Sequence, residues 1–185
     1  MKKILAVLLL VVLSFSAGCT SGKEVQTLAT GADTKGGPAK VIQEYAEGIA
    51  NKDFKAAYDL LSAESAKNVT PDAMKKGFTY EISLKQVLNE QIKDKLALVA
   101  VCFLVNDTVT GKRYVLDYIP VVYEQDRWAI VTDLAEKEKY QQALDEMQLT
   151  QEKLMYQDKE LSKFTKWMEE QNQIFAKPLK SEQAQ

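Results

Sequence analysis

The chain has 185 residues, with 24 basic and 26 acidic side chains, a formal net charge of −2, two cysteines and no histidine. A balance this near neutrality, with no basic block, argues against a nucleic-acid partner. Lack of histidine removes the side chain most used for acid–base work near neutral pH and the commonest metal ligand, and no phosphate-cradling glycine loop or clustered cysteine pattern compensates for it.

Taken in chain order, Met1-Lys2-Lys3 leads into an unbroken apolar run from Ile4 to Leu13, then small residues from Ser14 to Gly18 and Cys19. A basic start, a short apolar core and a small-residue zone predict a signal peptide over 1–18. The run is roughly half of the ~20 apolar residues a spanning helix needs, so the peptide is expected to be removed rather than to anchor the chain. Ser16-Ala17-Gly18-Cys19 resembles the bacterial lipobox, in which the cysteine thiol is acylated and becomes the new N-terminus. Ser16 stands where that box usually carries leucine. Ordinary cleavage after Gly18 is the alternative, because Ser16 and Gly18 also satisfy a small-x-small rule. The resemblance implies lipidation of Cys19 and a cell-membrane or outer-membrane location on the extracytoplasmic side. Loss of Lys2 and Lys3 would take 24 basic residues to 22 against 26 acidic ones, a net of about −4. Thr20, Ser21, Gly22, Gly31, Gly36 and Gly37 then read as a flexible tether over 19–37.

Folding is expected to begin at Pro38. Val41, Ile42, Tyr45 and Ile49 fall at helical spacing, and Phe54, Ala57, Tyr58 and Leu61 repeat the pattern after Asn51-Lys52-Asp53. Thr70 as N-cap, Pro71 at the first helical position, Asp72 in the first turn and Gly77 as a stop predict a further helix. The period then changes to two. Tyr80, Ile82 and Leu84 alternate with Glu81, Ser83 and Lys85, predicting a strand with one wet face. Leu96 to Val105 does not alternate; Val99, Val101, Phe103 and Val105 would face one side, and Leu98, Ala100, Cys102 and Leu104 the other. Both faces of that strand must be covered, so it belongs inside the sheet, with Cys102 a small core hydrophobe. Asn106 to Gly111 reads as a turn, Lys112 to Tyr123 as a long strand with a bulge or an edge at Pro120, and Arg127 to Thr132 as the last strand. Helices followed by a meander of about four strands predict an α+β fold with an antiparallel sheet.

From 134 to 176 the chain is charged, Gln-rich and free of Gly and Pro, with Tyr140, Met147, Leu154, Leu161, Met168 and Phe175 at intervals of seven. That predicts a long amphipathic helix. Its companion line, Ala143, Thr150, Gln157, Phe164 and Gln171, is weak, so the helix is expected to pack on something already folded, such as the open face of its own sheet or a partner helix. A self-sufficient coiled-coil dimer is the alternative. Residues 177–185 read as a disordered tail.

The stretch Val41 to Ser62, with its helix break at Lys52-Asp53 and its Ala57-Tyr58-Asp59-Leu60-Leu61, together with Trp128-x-Ile130, is similar to the nuclear transport factor 2-like (cystatin-like) superfamily, in particular its bacterial lipoprotein branch of uncharacterised function. The resemblance covers 38–133. It implies a curved sheet wrapped on a helix to form a cone-shaped cavity, often with dimers formed sheet to sheet. Some members of that superfamily, such as ketosteroid isomerase and scytalone dehydratase, carry Asp, Tyr or His in the cavity. The corresponding ligand-cavity candidates here are Tyr45, Tyr58, Tyr114, Asp117, Tyr118 and Trp128. An aspartate in an apolar cavity beside a tyrosine donor suits an isomerase or dehydratase-like step. The plainer reading makes these aromatic residues of core and interface, with Asp117 on a polar face. The sequence therefore points to a non-catalytic binding or protein-interaction module, with no cofactor, no metal and no catalytic residue. Its expected partners are the membrane, through the lipid anchor, and an envelope protein or a second copy engaged through the sheet or the C-terminal helix. A small-molecule carrier or enzyme using the cavity is the alternative.

Overall fold

The computed structural model describes residues 36–176. The expected signal peptide (1–18), the lipidation site Cys19, nearly all of the tether and the tail (177–185) lie outside the described residues.

Four helices precede the sheet: α1 (Pro38–Ala50), α2 (Phe54–Asp59), α3 (Ala63–Lys67) and α4 (Pro71–Gly77). In α1, Pro38 starts the helix behind Gly37, and Glu90 of the first strand accepts the free Ala39 N–H at 3.2 Å. Val41, Ile42, Ala46 and Ile49 form its buried stripe. The helix stops where Lys52 turns into the left-handed region at φ 62°. Asp53 then caps α2 by accepting the Ala56 N–H. Gly48 makes this corner possible: a Cβ there would meet Ala57 Cβ at 3.1 Å and Asp53 O at 3.2 Å. Helix α3, capped by Ser62, is an addition to the sequence reading, since five residues are too few to show a period. Helix α4 follows the expected signals, with the Thr70 hydroxyl accepting from Ala73 N–H at 3.1 Å.

The sheet is an antiparallel meander, β1 (Glu81–Lys93), β2 (Leu96–Asp107), β3 (Gly111–Glu124) and β4 (Arg127–Ile130), in the order β1-β2-β3-β4. The α+β fold expected from the residue pattern is therefore present, and β2 lies inside the sheet. Ala97, Val99, Val101, Phe103 and Val105 join Val41, Ile42, Ile49 and Leu61 in one core. On the other face Leu96, Leu98, Val122, Val131, Leu144 and Met147 form a second. Pro120 makes no bulge: β2 and β3 stay in register through Leu98 and Pro120. Its carbonyl accepts from Val131 N–H at 3.0 Å, so its backbone polar side faces away from β2 and the missing N–H falls where β4 leaves the sheet.

The segment after Asp133 is helical, in three pieces: α5 (Leu134–Lys139), α6 (Gln141–Gln157) and α7 (Lys159–Ala176). It packs on the second face of its own sheet. The face of α6 toward the sheet is Leu144, Met147, Gln151 and Met155, so of the expected line only Met147 is fully buried in this helix. A straight helix drifts by roughly 20° per seven residues, which moves a strict seven-residue line off the contact. Gln151 donates its amide N–H to Leu98 O at 2.5 Å, while its side-chain oxygen is buried without a hydrogen-bond partner among the described residues. Asp158 breaks the helix by capping α7, accepting from the Glu160 and Leu161 N–H groups. In α7 the expected line holds, with Leu161, Met168 and Phe175 half-buried.

The long strand β3 is matched by only four residues of β4, which leaves its outer edge without a strand from Gly111 to Pro120. Side chains close part of that edge. The Asn172 amide accepts from Tyr114 N–H at 2.7 Å and donates to Tyr114 O at 2.9 Å, and Asp117 accepts from Tyr118 N–H at 2.8 Å. The outer edge of β4 is closed by the α2–α3 link, where Ile130 N–H donates to Leu60 O and Ser62 N–H to Ile130 O. These closures remove open strand edges, which otherwise template pairing between molecules.

Candidate functional site

Between α1, the α4–β1 link and the sheet lies a cavity of about 40 Å³ lined by Tyr45, Ile49, Phe78, Ile82, Phe103 and Asp117. Tyr45 comes from the sheet-facing side of α1, and Asp117 pairs with Val101 and so faces the same core. Burial is the main reason the Tyr45 hydroxyl titrates far above its usual range, reinforced by Tyr80 nearby. Tyr80 is also raised by burial, against an opposing pull from Arg113. Both hydroxyls are protonated at neutral pH and can donate a hydrogen bond but not take a proton. Beside this corner, burial lowers the titration of Lys137 on α5, while Asp117 and Asp133 act against it. The volume suits one or a few waters, whereas small-molecule sites run to roughly 300–1,000 Å³.

Of the six sequence-derived candidates, the structure brings Tyr45 and Asp117 together here and places the other four elsewhere. The Tyr58 hydroxyl donates to Ala66 O at 3.1 Å, tying α2 to α3. Tyr114 faces the opposite side of the sheet, its ring 4.9 Å from Trp167 and 5.8 Å from Phe175. Tyr118 lies on that same second face, against the Leu98 and Met147 cluster, where burial pushes it up to about 12. The strand period of two explains the split: 114 and 118 point one way and 117 the other. Trp128 packs edge-on to Tyr123 at 5.2 Å and borders an open groove of about 390 Å³ with Lys40, Glu44, Leu60 and Arg127. Arg127 is already committed, donating to Asp59 O and Leu61 O at 2.9 Å each. No local pattern marked this groove, which forms where the β3–β4 turn meets α1.

A buried polar node is the other feature that sequence reading passed over. Glu136 is 4% exposed and accepts from the hydroxyls of Ser62 (2.5 Å) and Ser65 (2.9 Å). The Ser65 hydroxyl oxygen in turn accepts the N–H groups of Thr132 and Asp133. Asp133 caps α5 by accepting from Glu136 N–H at 2.9 Å. Asp133-x-x-Glu136 is the one sequence signal available, since an acid three residues after a cap marks a helix start. Every hydroxyl in the node has a partner, so it fastens α3 to α5. Cys102 is fully buried and its thiol is raised to about 11, chiefly by burial, which suits a core side chain rather than a nucleophile. Among the described residues no group of three or more His, Cys, Asp or Glu is placed to hold a metal ion, and no helix is long and apolar enough to cross a membrane.

The protein so described is an α+β domain whose four-stranded antiparallel sheet carries helices on both faces. No family model matches the chain, and no curated protein matches it. Among solved structures it is similar to a SEC-C motif-containing protein from Rhodopseudomonas palustris, determined in solution, at 14% identity and a TM-score of 0.44, over 50% of this chain and 73% of that one. A likeness at that level assigns neither family nor function.

Proposed function

We propose that the chain is a membrane-anchored extracytoplasmic lipoprotein of the nuclear transport factor 2-like kind, whose folded domain is a non-catalytic binding or interaction module. Two observations support the non-catalytic part: the cavity at Tyr45 and Asp117, about 40 Å³, leaves no room for a substrate between the two polar groups, and the open groove of about 390 Å³ at Trp128 has its Arg127 already committed to the Asp59 and Leu61 carbonyls. The anchor rests on the sequence from Met1 to Cys19. A dimer formed face to face through the sheet is disfavoured in this reading, because α6 and α7 occupy the face it would use. Mass spectrometry of the processed protein tests the anchor, with a diacylglycerol-modified Cys19 expected and a free thiol there refuting it. Crosslinking in intact cells followed by membrane extraction tests the interaction, and recovery of the domain with no crosslinked protein would refute that half.

A carrier or enzyme working through the cavity is the second reading, favoured by the meeting of Tyr45 and Asp117 on its wall. It requires the cavity to widen. A ligand that filled it would stabilise the domain by about 2.7 kcal/mol at a hundredfold excess over its Kd, so a thermal-shift screen with apolar metabolites decides between the readings.

A further inference from the structure

We propose that α7 is a hinged cover over the second face of the sheet, and that it opens while the rest of the domain stays folded. The inference depends neither on the anchor at Cys19 nor on the identity of any partner. Burial is the first ground. Helix α6 sets Leu144, Met147, Gln151 and Met155 into the interior, whereas none of the 18 residues of α7 is buried. Its Phe164 and Trp167 rings meet at a tilt of 40°, with centroids 5.3 Å apart, and stay half-covered. The free energy of a local opening follows the apolar contact it gives up, which puts α7 among the elements that open first.

The hinge is the second ground. Asp158 has an extended backbone (ψ 131°) between two finished helices. Its N–H completes α6 by donating to Leu154 O, while its carboxylate and its carbonyl accept from the Glu160, Leu161 and Ser162 N–H groups of α7. A rotation about its N–Cα bond carries α7 away and leaves both sets of bonds intact.

The third ground is what holds α7 down and what lies beneath. The polar contacts to the sheet are the Asn172 amide on the Tyr114 backbone and two lysines, Lys85 over Trp167 at 5.6 Å and Lys112 over Phe175 at 5.3 Å. Water can replace each of these. Beneath sits Cys102, fully buried, its Sγ 3.8 Å from Met168 Sδ. Opening would bare this apolar strip together with the unpaired outer edge of β3, the two kinds of surface that a monomer keeps covered.

Cys102 reports the motion directly. With Cys19→Ser it is the single thiol in the full-length chain, and its alkylation by a maleimide can be followed at increasing urea. The expected result is labelling that is nearly independent of urea well below the unfolding transition. Asn172→Ala and Trp167→Ala should each speed it by up to about tenfold. Met74→Ala, a core change on the opposite face, should lower global stability and leave low-urea labelling unchanged. The proposal is overturned if labelling follows the urea dependence of global unfolding, or if Met74→Ala accelerates it as much as the α7 substitutions do. Asn172→Ala removes only a side-chain amide, so the test stands even if Trp167→Ala fails to fold.

Discussion

On the face of the sheet toward the N-terminal helices, Ile42, Ala57 and Leu61 meet Val99, Val101 and Val121 with at most 2% of any of them exposed. On the opposite face α6 is set in by four buried side chains and α7 by none. One sheet thus carries two cores of unequal depth, and the first should dominate stability because the cost of a truncation depends on how completely the site is enclosed. Between them the Ser62–Ser65–Glu136 node is the seam, and a seam made of a buried carboxylate is strong only while every donor and acceptor is present.

That contrast can be broken experimentally. The largest effect is expected for Ile42→Ala, which should cost about 4 kcal/mol in urea unfolding; a loss as large from Phe164→Ala in α7, expected to cost about 1 kcal/mol, would mean the two faces are equally fixed. Glu136→Ala should come next, at about 2 kcal/mol, since it strips two buried hydroxyls of their acceptor. Glu136→Gln, which keeps one acceptor oxygen, should recover part of that loss, and equal losses would show the node to be mere packing. Gly48→Ala should cost about 1–2 kcal/mol, because the added methyl presses on Ala57 and the Asp53 carbonyl. A change smaller than that is expected at Lys52, whose φ of 62° suits glycine: Lys52→Gly should raise stability by about 0.5 kcal/mol.

A pH effect sharpens the picture at the β2–β3 turn. Hydrogen bonds from the Thr110 hydroxyl and backbone N–H, with Val109 N–H and Arg113 assisting, hold the Asp107 carboxyl down to about 2, against about 3.9 in an unfolded chain. A depressed folded value means the contribution is complete above about pH 4 and is lost as pH falls toward about 2. Asp107→Asn should flatten that part of the stability–pH curve in acid titration followed by circular dichroism. An unchanged slope would show that the turn does not depend on the carboxylate.

Much of the architecture was written locally. The Thr70-Pro71-Asp72 start, the absence of alternation from Leu96 to Val105 and the turn at Asn106–Gly111 are each decided by a few neighbouring residues, because capping, burial on two faces and turn geometry act over short spans. The two-faced burial of β2 even foretold that something must cover the second face. The candidate site was less legible: Tyr45 and Asp117 belong together, but Tyr114 and Tyr118 project from the other side of the sheet, and Tyr58 and Trp128 are engaged elsewhere.

Residue pattern alone determined the four strands and their order, the helices α1, α2 and α4, and the helical character of 134–176, but neither α3 nor the breaks at Tyr140 and Asp158. Only the tertiary structure decided which helix face met the sheet, that Gln151 could be buried against Leu98 O, that Glu136 would fasten α3 to α5, and that the cavity would shrink to about 40 Å³. The reason is physical. Periodicity and capping are properties of adjacent residues, whereas contact phase, polar partnering across more than fifty residues and residual volume depend on how separate elements come to rest against one another.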